Sequence, residues 1–209
     1  MKRHTILLSV LLFCVFHCLG NSADSIRRNT FGLEVGCFML SQSYENNVKS
    51  TATKELRPNI DFWYERTLWR NLAIGIRYDF KQSDPNARWY KQRIRNINCV
   101  ANDNSIFLSF AYSFCAYNFF IKPILAVGIC FPHFTTPGYG DHLVVKQKEP
   151  ITYHGITLGY NLRNWDVFIA YNYDSYNCLV DFDGGVSANW MFPTVFTHRV
   201  LRLGISYKI

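Results

Sequence analysis

Past its first two dozen residues, the chain lacks any apolar run long enough to cross a membrane as a helix, since a helical span needs about 20 predominantly apolar residues. That excludes helical membrane architectures for the bulk of the protein. Cysteine is sparse and follows no pattern. Cys14 and Cys18 lie in the amino-terminal segment, while Cys37, Cys99, Cys115, Cys130 and Cys178 are odd in number and stand at no metal-ligand spacing. Neither a disulfide framework nor a metal centre is implied. A strong charge of one sign is also missing. Lys2 and Arg3 account for two of the 22 basic residues, so 20 remain against 15 acidic ones, a net charge of +5. This is a mild bias towards anionic surroundings and too weak for a nucleic-acid partner. Nothing in the sequence implies a cofactor.

What is present begins with Lys2 and Arg3, an apolar stretch from Ile6 to Phe16, and small residues around Gly20, Ser22 and Ala23. Residues 1–22 read as a secretory signal peptide, cleaved after Gly20 or after Ser22. A lipoprotein signal at Cys18 competes, but bulky Phe16 and His17 occupy positions where small residues are needed. The remaining 23–209 is about 187 residues, the size of a single domain.

Within that domain one apolar residue repeatedly alternates with one small or polar residue. Leu72, Ile74, Ile76, Tyr78 and Phe80 interleave with Ala73, Gly75, Arg77, Asp79 and Lys81; Leu201, Leu203, Ile205, Tyr207 and Ile209 interleave with Arg202, Gly204, Ser206 and Lys208. A period of two gives a strand one apolar and one polar face. Such runs predict eight strands, at 30–41, 57–68, 72–82, 104–114, 119–131, 151–162, 166–176 and 196–209. A strand tilted across a bilayer needs about 9–11 residues, and each of these is long enough. The connections at 69–71, 115–118 and 163–165 are tight, whereas those near 42–56, 83–103, 132–150 and 177–195 are long. The expected fold is therefore all-β: an eight-stranded antiparallel up-and-down transmembrane barrel with short periplasmic turns and long external loops.

Hairpin register supports closure. Pairing Leu68 with Leu72 sets Tyr64 against Ile76 and Phe62 against Tyr78. Phe114 with Phe119 sets Leu108 against Leu125, and Leu162 with Val167 sets Tyr160 against Ile169. All keep their apolar residues on one face. Pro123 is a misfit in a barrel without edges, and predicts a bulge or a ladder that becomes regular only from Ile124.

The opposite face carries Glu34, Asp61, Glu65, Asp79, Asp166 and Asp174 with Arg77, Lys81, Lys122, Arg202 and Lys208, among many glycines and alanines. Six acids against five bases can pair if that face points inward, where an isolated charge would be costly. Arg77 falls opposite Trp63 with Asp61 and Glu65 as diagonal neighbours, so Asp61, Glu65, Arg77 and Asp79 are expected to form a lumenal charge cluster. The inverted alternative is a soluble periplasmic binding barrel of lipocalin type, with apolar residues inside. Against it, Phe31-Gly32-Leu33-Glu34-Val35-Gly36 lacks the Gly-x-Trp of lipocalins. Aromatic residues also gather towards strand ends, including Phe62, Trp63, Trp69, Tyr112, Phe114, Phe119, Tyr160, Tyr173 and Tyr207, as interfacial girdles would.

The signal peptide, the eight strands and the last strand, 200–209, together resemble the small outer-membrane β-barrel family of Gram-negative bacteria. The resemblance covers essentially the whole of 23–209. It implies a location in the cell outer membrane, contact with outer-membrane lipids including lipopolysaccharide, and recognition of the last strand by the barrel-assembly machinery. That strand ends in Ile209 where phenylalanine is usual.

The family hosts structural, adhesive and enzymatic members, so function must come from sites. An eight-stranded barrel is filled by its own side chains, which argues against a general porin and for a monomer with a structural or surface-interaction role. In the second long loop, Arg88, Lys91, Arg93 and Arg95 interleave with Trp89 and Tyr90 and form a candidate anion-binding segment, since guanidinium groups hold phosphate bidentately. The alternative on the same barrel is a lipid A-modifying acyltransferase or deacylase. For that, His133, His142, His154 and His198 lie near the outer rim, with Ser175, Ser187, Asp141 and Asp181 as partners, but no His-x-Ser strand motif is present and no catalytic residue is assigned. The Asp181-Phe182-Asp183-Gly184-Gly185 run lacks the other ligands and closing glutamate of a calcium loop and reads as a turn. Cys99 and Cys178 both fall in external loops and are the pair that a disulfide across the top would join.

Overall fold

Alternating side chains with many β-branched and aromatic residues favour strands over helices, and the period-two runs become the staves of a closed barrel. The computed structural model describes residues 29–44, 51–52, 56–69, 71–83, 100–135, 148–180 and 192–209. Its staves are β1 (Asn29–Tyr44), β2 (Arg57–Trp69), β3 (Leu72–Ser83), β4 (Val100–Tyr112), β5 (Phe119–Thr135), β6 (Glu149–Leu162), β7 (Trp165–Val180) and β8 (Phe192–Lys208). Two short segments accompany them: Thr51–Ala52 pairs with β1, and Phe114–Ala116 continues β4 along β5. Every stave pairs antiparallel with its sequence neighbours, and β8 closes on β1 from Thr30↔Lys208 to Tyr44↔Thr194. No described helix is long and apolar enough to cross a membrane.

The stagger of the barrel can be followed residue by residue. From Met39 the pairing runs through Arg199, Tyr173, His154, Leu125, Phe110, Ile74 and Arg66, and returns to β1 at Asn29, ten residues below its start. With ordinary strand spacing and rise, eight strands with that stagger tilt by about 40°.

The strands run further towards the loop end than expected: β5 reaches Thr135 rather than residue 131, and β7 reaches Val180 rather than 176. At the other end the turns are tighter than expected, Trp69 already pairing with Leu72 in the first, and in the second and third hairpins this moves the register. Ala116 pairs with Phe119 and Leu162 with Trp165, leaving two-residue turns at Tyr117-Asn118 and Arg163-Asn164. Tyr117 and Arg163 take the left-handed conformation that such hairpin turns require, with φ of 56° and 57°. Those hairpins are therefore displaced by two residues from the expected register: Leu108 faces Val127 and Tyr160 faces Val167. A slip of two preserves which face each side chain takes, whereas a slip of one would have reversed it. The first hairpin has Tyr64↔Ile76 and Phe62↔Tyr78, with a bulge between Thr67 and Trp69.

Pro123 sits in an unbroken ladder on its β6 side, opposite Ile156. On its β4 side the ladder stops at Ala111↔Ile124 and resumes at Phe114↔Ile121. The lattice is interrupted on one side only, at the point where proline has no N–H to give.

The apolar face points outward. Leu33, Val35, Phe62, Ile76, Leu108, Leu125, Val127, Leu158, Ile169 and Leu203 are all exposed on the barrel wall. An exterior this apolar suits acyl chains and not water, which overturns the soluble binding-barrel alternative. Aromatic pairs gather at the turn end, with Phe31–Tyr64, Phe119–Tyr160, Trp165–Tyr207 and Tyr112–Phe114 centroids 4.7–5.0 Å apart. Trp63 is a correction: it belongs to no girdle. Its parity turns it into the lumen, where it lies so close over Gly32 that a Cβ there would meet Cε2 at 2.1 Å.

Candidate functional site

The lumen is where the chain concentrates its ionisable chemistry. Alternation sends Glu34, Asp61, Glu65, Asp79, Asp103, Asp166 and Asp174 inward, where all are buried. Glu149, first in β6, has the same parity, so no carboxylate takes an outward position among the described residues. Arg77, Lys81, Lys122 and Arg202 point inward with them.

Two arginines hold the centre. Arg77, on β3, donates through Nη2 to Glu34 Oε1 at 2.7 Å and to Asp61 Oδ2 at 2.9 Å, and through Nε to the same Asp61 oxygen at 3.1 Å. Its Nη1 lies 3.9 Å from Glu65 Oε1, whose other oxygen accepts from Lys122 at 2.9 Å. Arg202, on β8, donates to Asp79 Oδ2 at 2.7 Å and Asn172 Oδ1 at 2.6 Å, and its Nη1 lies 3.3 Å from Asp61 Oδ2 and 3.5 Å from Glu34 Oε2. Asn59 joins Arg202 to Asp79 through further hydrogen bonds. Glu34 and Asp61, paired side by side on β1 and β2, thus bridge the two guanidinium groups. Aromatic faces complete the enclosure: Arg77 Cζ lies 5.6 Å from the Trp63 ring and 5.2 Å from that of Tyr153, and Lys122 Nζ lies 4.2 Å over Trp63.

Of the four residues expected to cluster, Asp61 and Arg77 meet directly and Glu65 reaches Arg77 only at its margin. Asp79 turns instead to Arg202 and Lys81. The cluster expected from the first hairpin omitted Glu34, which pairs with Asp61 from neighbouring β1, and Arg202, which arrives from β8, because neither strand belongs to that hairpin.

Towards the loop end the network continues through Lys81, which contacts Asp174 at 3.0 Å, to His198. His198 Nδ1 faces Asp174 Oδ1 at 2.6 Å and Nε2 faces Asp103 Oδ2 at 3.3 Å, while Tyr176 donates to that Asp103 oxygen at 2.9 Å. The sequence places His198 at the rim as a candidate base; the structure buries it fully inside. It shares the parity of Val200 and Arg202, a signal present in the sequence. Asp103 was missed because it precedes the expected start of its strand by one residue. Apolar side chains pack in the same interior: Phe38, Leu40, Ile151, Phe107 and Phe196 form one buried cluster with Val200 and Cys130.

The remaining rim candidates separate. Ser175 points outward, opposite Thr197, so it cannot meet His198. His154 is outward and exposed, and His133 is half-buried on the outer wall. Arg88, Lys91, Arg93 and Arg95, together with His142, Ser187, Asp141, Asp181, Cys99 and the signal segment, lie outside the described residues. Cys37 and Cys130 are free thiols, and no group of three or more potential metal ligands occurs among the described residues.

These features define a class: a closed eight-stranded transmembrane barrel with its charges folded inward. No family model matches the sequence, and no curated protein matches it either. Solved structures do. The outer-membrane protein AlkL, determined in lipid bilayers, is similar over 90% of this chain and 95% of its own, with a TM-score of 0.53 at 11% identity. OprG of Pseudomonas aeruginosa follows over 88% and 99%, with a TM-score of 0.51 at 11% identity. A major outer-membrane protein of Thermus thermophilus covers 87% and 99%, with a TM-score of 0.50 at 14% identity. The chain has the fold of the small outer-membrane β-barrels.

Proposed function

We propose that the protein resides in the outer membrane as a non-porin barrel with a structural or surface-interaction role carried by its loop end. The observation behind this is the filled lumen. Arg77 and Arg202 are fully buried at the centre, bridged by Glu34 and Asp61, and Phe38, Phe107, Tyr153 and Phe196 are buried in the same interior. A solute would have to displace buried charges that are paired with one another. With the interior committed to stability, recognition falls to the loops. There Arg88, Lys91, Arg93 and Arg95 supply a basic segment for phosphate-bearing partners such as lipopolysaccharide. The last strand is offered to the barrel-assembly machinery, and the barrel works as a monomer.

The test has two parts. Expressed in a Gram-negative host, the chain should fractionate with outer membranes and change electrophoretic mobility on boiling. Reconstituted in planar bilayers, it should give no stepwise conductance; regular open-channel steps would overturn the non-porin assignment.

A further inference from the structure

The outer wall is not uniform around the barrel. On β6, β7 and β8, two successive outward rows are polar. Arg199 pairs with Tyr173, and Tyr173 with His154; one step towards the loops, Thr197 pairs with Ser175, and Ser175 with Thr152. Arg199, Tyr173, His154 and Thr152 are exposed, and Thr197 and Ser175 are half-buried. The row directly below is Leu201, Tyr171 and Ile156, all exposed. Allowing for the ten-residue stagger, Arg199 lies level with Ile129, Ile106 and Phe80 on the far wall, so the polar block starts lower on β6, β7 and β8 than on β3 and β4, where Gln82 and Asn104 follow those apolar residues.

Charge sharpens the contrast. All carboxylates of the described strands take inward positions, so no described acid stands beside Arg199 on the outer wall. A cation facing lipid without a counterion is costly, unless the lipid supplies one. We infer that Arg199, with His154, Tyr173 and the hydroxyls of Thr152, Ser175 and Thr197, forms a binding site for the phosphorylated headgroup of an acylated glycolipid in the outer leaflet. The guanidinium takes the phosphate bidentately, the hydroxyls meet the sugar, and Ile156, Tyr171 and Leu201 lie under the acyl chains. This rests on the outer-membrane reading above, because that reading sets β8's loop end in the leaflet that holds such lipids.

The full chain, purified in neutral detergent, would be titrated with diphosphoryl lipid A and bound lipid counted by native mass spectrometry. Dephosphorylated lipid A and phosphatidylglycerol serve as comparison ligands. Arg199→Ala should weaken diphosphoryl lipid A binding about tenfold or more, the scale of a lost charge-assisted hydrogen-bonding pair, and His154→Ala by a smaller factor. Arg66→Ala, the outward arginine at the turn end, should leave it unchanged. Equal binding by wild type and Arg199→Ala, or equal affinity for the dephosphorylated lipid or for phosphatidylglycerol, overturns the site. Mobility shift on boiling, measured on every sample, keeps the two ideas apart: a shifting barrel with unaltered binding sinks the lipid site alone, while an unshifted chain absent from outer membranes sinks the functional reading.

Discussion

The centre of the lumen and its turn-side mouth contain the same kind of contact in different solvents. At the centre Arg77 meets Glu34 at 2.7 Å with both side chains at most 1% exposed. At the mouth Lys208 meets Asp166 at 2.6 Å with the lysine side chain 26% exposed. Distance would rank the mouth pair first. Physical chemistry reverses that order. A buried ion whose partner is removed keeps its desolvation cost and loses its compensation, whereas an exposed one is taken up by water and screened. The centre is also interlocked, since Glu34 and Asp61 each serve both arginines, so no central charge can be deleted without stranding another.

The most direct way to break this comparison is Arg202→Ala. It leaves Asp79, Asn172 and the bridging acids without their shared donor, and the expected loss is about 3–5 kcal/mol, read as a lower urea midpoint for unfolding from lipid vesicles. Arg77→Ala should fall in the same range through Glu34 and Asp61. An unchanged midpoint in either variant would mean that lumenal water replaces the guanidinium, and the distinction between centre and mouth would collapse.

His198→Gln probes the layer between. Glutamine spans less than imidazole and cannot face Asp174 and Asp103 from two opposed ring nitrogens, so one carboxylate loses its partner. Phe38, whose ring centroid lies 5.2 Å from that of His198, also loses an edge-on neighbour. A destabilisation of about 1–3 kcal/mol is expected. Tyr176→Phe should cost less, about 0.5–1.5 kcal/mol, because it deletes one hydroxyl donor to Asp103 and keeps the ring stacked on Phe196 at 5.1 Å. If Tyr176→Phe proved the more damaging of the two, the hydroxyl rather than the imidazole would be what secures Asp103.

How far these layers were legible follows from the geometry of a strand. Parity is local, and it assigned Arg77, Asp79, Lys81 and Arg202 to the polar face, with Glu34 and Asp174 beside them, even where hairpin register was wrong by two. Partner identity is not local. Glu34 reaches Arg77 across 43 residues and Arg202 reaches Asp79 across 123, and these meetings depend on the ten-residue stagger of the closed barrel. That stagger is set by turn lengths and a bulge near Thr67. The turn lengths were not legible because Tyr117 and Arg163 are not residues that advertise a left-handed conformation. His198 shows a different failure: its parity was readable, but its nearness to the loop end invited a rim assignment.

Lys208→Ala gives the smallest effect and the cleanest contrast. The side chain donates to Asn161 Oδ1 at 2.6 Å as well as to Asp166, and Ser206 Oγ also donates to Asp166, at 3.1 Å. When the lysine is removed, Asp166 keeps the serine and gains water through the open mouth. The expected loss is therefore no more than about 1 kcal/mol, and it should shrink further in high salt, since a solvent-reachable pair is screened. Arg202→Ala measured in the same salt series should not change, because ions do not enter the filled centre. A Lys208→Ala loss as large as that of Arg202→Ala, and equally indifferent to salt, would show that the mouth is as dry as the centre and that burial does not decide between them.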